Sequence, residues 1–395
     1  MNSWPHFYPE DIKKVSEILK SWKINYWTGF EGREFEKEFS SYVGVEHSVT
    51  VDNGTNALIL AAHALGISKG DEVIMSPRTF VASAFSIMHL GAKPVFIDID
   101  RNSQNMDPDL IEAAITPNTK AIMAIHLAGW PCEMEKIQEI CNKHNLFLIE
   151  DCAQAHWAKY KNKSVGSFGD INAWSFCQDK IMTTAGEGGM VTTDNKDYWS
   201  SVWSFKDHGK NYDTVYNKEH PPGFRWLHED HGTNARMTEI QSAIGRLQLK
   251  KLDMWIDKRT KLSNIFNNAF KDLDGLRITL PPSHIKHAYY KYYVFTEPEK
   301  LKSDKDRDFI MNSLNDLGIA CYSGSCSEIY KEKAFDKMFS NQKPSLKVAK
   351  ELGETSLMFL VHPTIHEDDI YKICDKTENI IKQCLRWELI IWMKI

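Results

Sequence analysis

Apolar and polar positions along the chain follow two alternating periods. Short apolar runs over residues 48–52, 72–75, 94–98, 120–126 and 146–150 read as buried strands. Between them, residues 57–65, 109–115 and 133–145 carry helical spacing. Strands separated by helices of this length predict a parallel sheet covered on both faces. Upstream, residues 9–22 form an amphipathic helix with Ile12, Val15, Ile18 and Leu19 on its apolar side. Downstream, Thr238 and Glu239 open a longer helix that runs to about residue 252, with Ile240, Ile244, Leu247 and Leu252 aligned. Another helix starts at 255–259, and residues 289–295 have the aromatic and β-branched content of a strand. A chain of 395 residues exceeds one small core. Two domains are expected, 1–255 and a smaller α/β unit over 256–395 that ends in an apolar helix or tail at 387–395.

One stretch organises the rest. An apolar strand over 173–177 runs into Gln-Asp-Lys180, then Gly186-Glu-Gly-Gly189, then a second strand over 190–193. Glycines let such a loop approach a ligand closely. A partly desolvated lysine on it can act as an amine nucleophile toward a carbonyl. Upstream, Leu146-Phe-Leu-Ile-Glu-Asp151 ends a strand on a carboxylate, at the sheet edge where α/β folds bind ligands. A buried carboxylate needs a cationic partner. The protonated ring nitrogen of pyridoxal 5'-phosphate (PLP) is one, and that contact keeps the ring an electron sink. Asn53-Gly54-Thr55-Asn56 joins a strand to a helix start, a geometry suited to anions. Phe80 closes another strand end, where an aromatic can stack on a flat ring.

Composition narrows the class. Net charge is −5 with 26% charged residues, which argues against nucleic acid as the main partner. No apolar run reaches the roughly 20 residues of a membrane span. The first residues lack a basic start and an apolar core, so no secretory signal is expected. Eight scattered cysteines without a paired motif fit reduced thiols in a cytoplasmic protein and give no zinc pattern.

The order Glu-Asp151-Cys-Ala-Gln154-Ala, then Ser175-Phe-Cys-Gln-Asp-Lys180, then Gly-Glu-Gly-Gly resembles the DegT/DnrJ/EryC1/StrS family over about residues 29–252. The resemblance implies a PLP-dependent sugar aminotransferase of the aspartate-aminotransferase fold (fold type I). That fold has a mostly parallel seven-stranded sheet flanked by helices and a smaller C-terminal domain. It also assigns roles. Lys180 joins the cofactor aldehyde and, once displaced, carries the proton between substrate and cofactor. Asp151 holds the ring nitrogen, Gln154 reaches the phenolic oxygen or ring face, and Phe80 covers the ring. Thr55, Asn56 and Ser175 hold the phosphate, and Asn234 reaches the phosphate of a partner subunit, which requires a homodimer. Tyr26, Trp27, His208 and Tyr322 lie in regions that approach substrate in relatives. For Tyr26 and Trp27 a packed aromatic turn is an equal reading, and His126 is either a ligand contact or a structural histidine.

Family dehydratases carry histidine at the lysine position, so Lys180 points to amine transfer. Lys180-Ile-Met-Thr-Thr followed by Gly-Glu-Gly-Gly resembles the perosamine-synthase-like branch that aminates sugar C4. The expected substrates are a nucleotide-linked 4-keto-6-deoxyhexose and L-glutamate, giving a 4-amino-4,6-dideoxy sugar for O-antigen or another surface glycan. Amination of a 3-keto isomer, amination of a cyclitol ketone and a non-catalytic PLP-binding regulator are the alternatives. Two departures from the family stand out. Ala235 replaces an aromatic, and residues 318–330 replace a His-Tyr-x-Pro-x-His pattern in a substrate-shaping region.

Overall fold

The computed structural model describes residues 4–339 and 343–386, so the expected tail at 387–395 lies outside the described residues. Seven strands form the main sheet in the spatial order His47–Val51, Gly189–Thr193, Ile171–Ser175, Phe147–Asp151, Thr119–Ile125, Glu72–Met75 and Lys93–Phe96. Gly189–Thr193 runs antiparallel to both neighbours, and the other pairings are parallel. Most positions in these strands are buried, as a sheet covered on both faces requires. The carboxyl ends of the parallel strands therefore share one edge, and Asp151 and Ser175 stand on it.

The second unit is a four-stranded antiparallel sheet: Leu276–Arg277, Tyr292–Thr296, Ser356–Phe359 and Cys321–Tyr322. The helix Leu252–Phe270 leads into it and packs on Glu367–Cys384. Phe266 stacks on Tyr292 and Phe359 at the centre of that core. The chain also crosses back: Ile329, Tyr330 and Phe335 join the core of the large sheet.

Four predicted elements differ. Residues 109–115 form two short 3-10 turns instead of one helix, because the Asp107 carboxylate accepts the Asp109 N–H and tightens the turn. The strand expected over 94–98 stops at Phe96, and Asp98 caps the N–H groups of Val348 and Ala349 instead. The strand expected over 289–295 begins only at Tyr292, since Tyr289 takes a left-handed conformation and turns the chain toward the large sheet. On the N-terminal helix Pro9–Ser21, Ile18 is buried, but Ile12 and Leu19 are exposed.

Glu150 shows how the sheet edge is held. It is fully buried, and its carboxylate accepts the N–H groups of Gly166, Phe168 and Gly169. His126 donates Nε2–H to the same carboxylate at 2.9 Å, while its Nδ1 accepts the Cys132 N–H. Both ring nitrogens of His126 are thus used structurally. Removing this carboxylate strands several buried donors at once. Glu150→Ala should cost roughly 3–5 kcal/mol, read as a lowered denaturant midpoint at unchanged slope. A midpoint within error of the parent would contradict this account of the sheet edge.

Candidate active site

A cleft of about 930 Å³ opens at the carboxyl edge of the sheet, between the two units. On one wall the helix Gly54–Ala64 begins, N-capped by Asn53, whose side chain accepts the Asn56 N–H. A Cβ on Gly54 would sit 2.5 Å from the Ser175 Cβ, so glycine is required for the turn to close on the serine. Gly54, Thr55 and Ser175 line the cleft, and the first N–H groups of a helix have no intrahelical partner. A phosphate fits there. Asn56 does not join them: its side-chain amide donates to both oxygens of Asp52 at 2.8 and 3.0 Å. In this chain the Asn56 side chain braces the loop, and Asn56 does not line the cleft.

Asp151 lies at the base of the cleft. Its Oδ2 accepts from Ser83 at 2.8 Å, and its Oδ1 accepts the Ala153 N–H. Among the described residues no cationic side chain pairs with it, which suits a ring nitrogen arriving with a bound cofactor. Gln154 uses its Oε1 to accept the Ala128 N–H, leaving its amide NH₂ end toward the cleft it lines. Phe80 also lines the cleft and is 67% exposed, so it is not a core phenylalanine.

Lys180 stands on the loop after Ile171–Ser175, mostly buried. Trp4 donates its indole N–H to the Lys180 carbonyl at 2.8 Å, tying the N-terminal segment to that loop. Thr183 and Thr184 lock the following turn: their hydroxyls donate to the carbonyls of Phe176 and Glu187. Behind the loop, His156 packs against Trp174 and Phe176. Burial, then Lys180 and Arg259, push His156 down to about 3, so it is a neutral ring at working pH.

Of the substrate candidates, the structure brings Tyr322 to the cleft, with Gly324 and Ser325 beside it. This places the middle of the divergent segment 318–330 on the cleft wall, while Ile329 and Tyr330 at its end pack in the large-sheet core. Three others lie elsewhere. Tyr26 is 2% exposed, donates its hydroxyl to Glu36, and packs its ring under the Lys206 ammonium. Trp27 stacks on Tyr216, with Lys210 over its ring. Within this chain both form the packed aromatic turn, one of the two readings given for them, and neither lines the cleft. His208 is exposed in a left-handed turn and does not line the cleft. Asn234 is exposed, bridged to Asp207 and outside the cleft of its own chain.

Sequence reasoning missed a further group: Asp179, Arg259, Tyr290 and Lys291 all line the cleft. Tyr290 donates its hydroxyl to Asp179. Burial, with Arg259 and Lys180 adding repulsion, brings Lys291 down to about 8 against the pull of Asp179. Asp179 directly precedes the lysine, a signal that was visible; nothing local marks Lys291 or Arg259.

A fold of this topology, with such a cleft, defines a PLP-dependent transferase of the aspartate-aminotransferase type. The chain belongs to the DegT/DnrJ/EryC1/StrS aminotransferase family, whose pattern matches residues 6–378, and it is a PLP-dependent sugar aminotransferase. It is 36% identical to the GDP-perosamine synthase of Caulobacter vibrioides, over 90% of this chain and 92% of that one. It is 34% identical to the UDP-N-acetyl-3-dehydro-alpha-D-glucosamine 3-aminotransferase of Acidithiobacillus ferrooxidans, over 93% and 94%. Among solved structures, the aminotransferase from Psychrobacter cryohalolentis superposes with a TM-score of 0.95 at 48% identity, covering 97% of this chain and 99% of that one.

Lys291 makes a pH prediction. Its pKa is lowered on folding, so between about 8 and the unfolded value near 10.4 the unfolded chain binds more protons. Its contribution to stability therefore rises as pH climbs through that window. Lys291→Met should flatten this rise, measured as the difference in urea midpoints between the two proteins from pH 8 to 10. Parallel curves would contradict the assignment.

Proposed function

We propose that this aminotransferase moves the amino group of L-glutamate to C4 of a nucleotide-linked 4-keto-6-deoxyhexose. The product is a 4-amino-4,6-dideoxy sugar nucleotide for O-antigen or a related surface glycan. The observation that carries the reading is the lysine loop. Lys180-Ile-Met-Thr183-Thr184 with Gly186-Glu-Gly-Gly189 resembles the C4-branch pattern, with Met182 in place of its isoleucine, and both threonine hydroxyls fix that turn. Likeness to a GDP-perosamine synthase supports the same branch. Likeness to a 3-aminotransferase keeps a 3-keto isomer as the second reading.

When bound, the cofactor supplies an electron-withdrawing ring that stabilises negative charge on the substrate carbon once its proton leaves. The chain's residues serve that chemistry. Asp151, braced by Ser83 and the Ala153 N–H, would hold the cofactor's ring nitrogen. Gly54, Thr55 and Ser175 would hold its phosphate, Gln154 and Phe80 would flank the ring, and the Lys180 Nζ would carry the proton. Asn234, exposed and outside its own cleft, serves the phosphate of a second copy in a homodimer. Exposed Trp22 and Phe30 fit such an interface. Free thiols at all eight cysteines fit a cytoplasmic setting. Among the described residues no helix is long and apolar enough to cross a membrane.

The test follows the cofactor band and the product mass in one preparation. L-glutamate should bleach the band, and a 4-keto-6-deoxy sugar nucleotide should restore it while gaining an amine. Lys180→Ala should show neither change. Restoration by a 3-keto isomer but not by the 4-keto sugar would overturn the C4 assignment, and an active monomer would overturn the role of Asn234.

A further inference from the structure

The cleft holds more positive charge than the chain itself answers. Arg259 is 1% exposed, and its Nη1 donates to the carbonyls of Tyr289 and Tyr290. Its Nε has no partner, and among the described residues no carboxylate lies within ion-pairing distance of it. The guanidinium also lies over the Trp4 ring at 5.3 Å, a contact that leaves the Nε–H without a hydrogen-bond acceptor. Lys291, mostly buried, lies 3.8 Å from the Asp179 Oδ2, and Lys180 lies 4.0 Å from the Oδ1 of the same carboxylate. Both ammonium groups flank the Tyr290 ring, at 5.2 Å for Lys180 and 4.6 Å for Lys291. Asp179 also accepts the Tyr290 hydroxyl, so one carboxylate is shared by two ammonium groups and a phenol.

The other acidic groups on the cleft do not balance this. Asp151 is engaged by Ser83 and the Ala153 N–H, and Glu187 is exposed at the rim. His362 lines the same wall, but burial, Arg259 and Lys291 hold it down to about 4. Burying an unpaired cation is costly, and an anionic ligand relieves that cost. The place of these cations says which anion. They stand beside the reactive lysine. The carboxylate of an α-amino acid is one bond from the carbon bearing the reacting amine. The diphosphate of a sugar nucleotide lies across the hexose ring from C4.

We propose that Arg259 and Lys291 form a carboxylate-binding subsite that receives the amino-acid donor beside Lys180. The proposal rests on the reading of L-glutamate as donor only for the identity of the ligand. A planar guanidinium with a mobile ammonium next to it suits a carboxylate approached from two sides. The subsite also accounts for the turn at Tyr289, which lifts Tyr290 and Lys291 off the small sheet and into the cleft.

The test binds glutarate, a dicarboxylate without an amine, to the holoenzyme by calorimetry, with nucleoside diphosphates in parallel. Lys291→Met should weaken glutarate by about tenfold or more, the loss of one charge-assisted contact, and leave the diphosphates and the cofactor band unchanged. Lys291→Arg should retain most of the affinity, which a merely structural role would not require. Arg259→Gln should act in the same direction as Lys291→Met; if it fails to fold, the Lys291 pair decides alone. Undetectable glutarate binding to the parent, equal affinity in Lys291→Met, or a loss confined to the diphosphates would each overturn the proposal. Glutarate binding that depends on Lys291 in an enzyme unresponsive to L-glutamate would support the subsite and reject L-glutamate as the donor.

Discussion

The site depends on keeping a carboxylate and an amine apart in one cleft. Asp151 and Lys180 have opposite charge and face the same space, and a direct ion pair between them would consume both. The sheet prevents this. Asp151 is fixed at the end of Phe147–Asp151, where Ser83 and the Ala153 N–H satisfy it without a cation. Lys180 is carried past the neighbouring strand on a loop whose turn is locked by Thr183, Thr184 and the Trp4 indole. Hydrogen bonds from neutral donors let a buried carboxylate stay charged and still face an incoming cation.

The same economy appears across the cleft. Glu150, one residue before Asp151, answers its burial with three backbone N–H groups and a histidine, and so pins the loop 166–169 to the sheet edge. Arg259 and Lys291 are left under-answered instead. Natural folds retain such groups where a ligand completes them, at a cost in stability. The small sheet thus contributes more than bulk. Its first long strand is cut short at Tyr292, and the residues released are the ones that reach the cleft.

The large sheet was legible in the sequence because its strands are buried on both faces and separated by helices with clear spacing. The position of Asp151, Ser175 and Lys180 on the cleft was legible because each sits at or just past a strand end. The family resemblance put Asn56, Tyr26 and Trp27 near the site, but within this chain their side-chain directions are set by partners that local pattern does not show: Asp52 for Asn56, Glu36 and Lys206 for Tyr26, Tyr216 and Lys210 for Trp27. Arg259 and Lys291 were invisible because one stands on the helix Leu252–Phe270 and the other on the turn before the strand Tyr292–Thr296, and only the folded chain brings both to the cleft. Their local contexts look like a solvated helix face and an aromatic strand.

In the proposed reaction Lys180 is the amine that takes the cofactor. Lys291 is the sharpest rival, since it lies in the same cleft with its pKa brought down to about 8. Borohydride reduction of the PLP-loaded protein, followed by peptide mapping, distinguishes them directly. One cofactor-mass adduct is expected, on the peptide containing Lys180. An adduct on Lys291, or none at all, would contradict it.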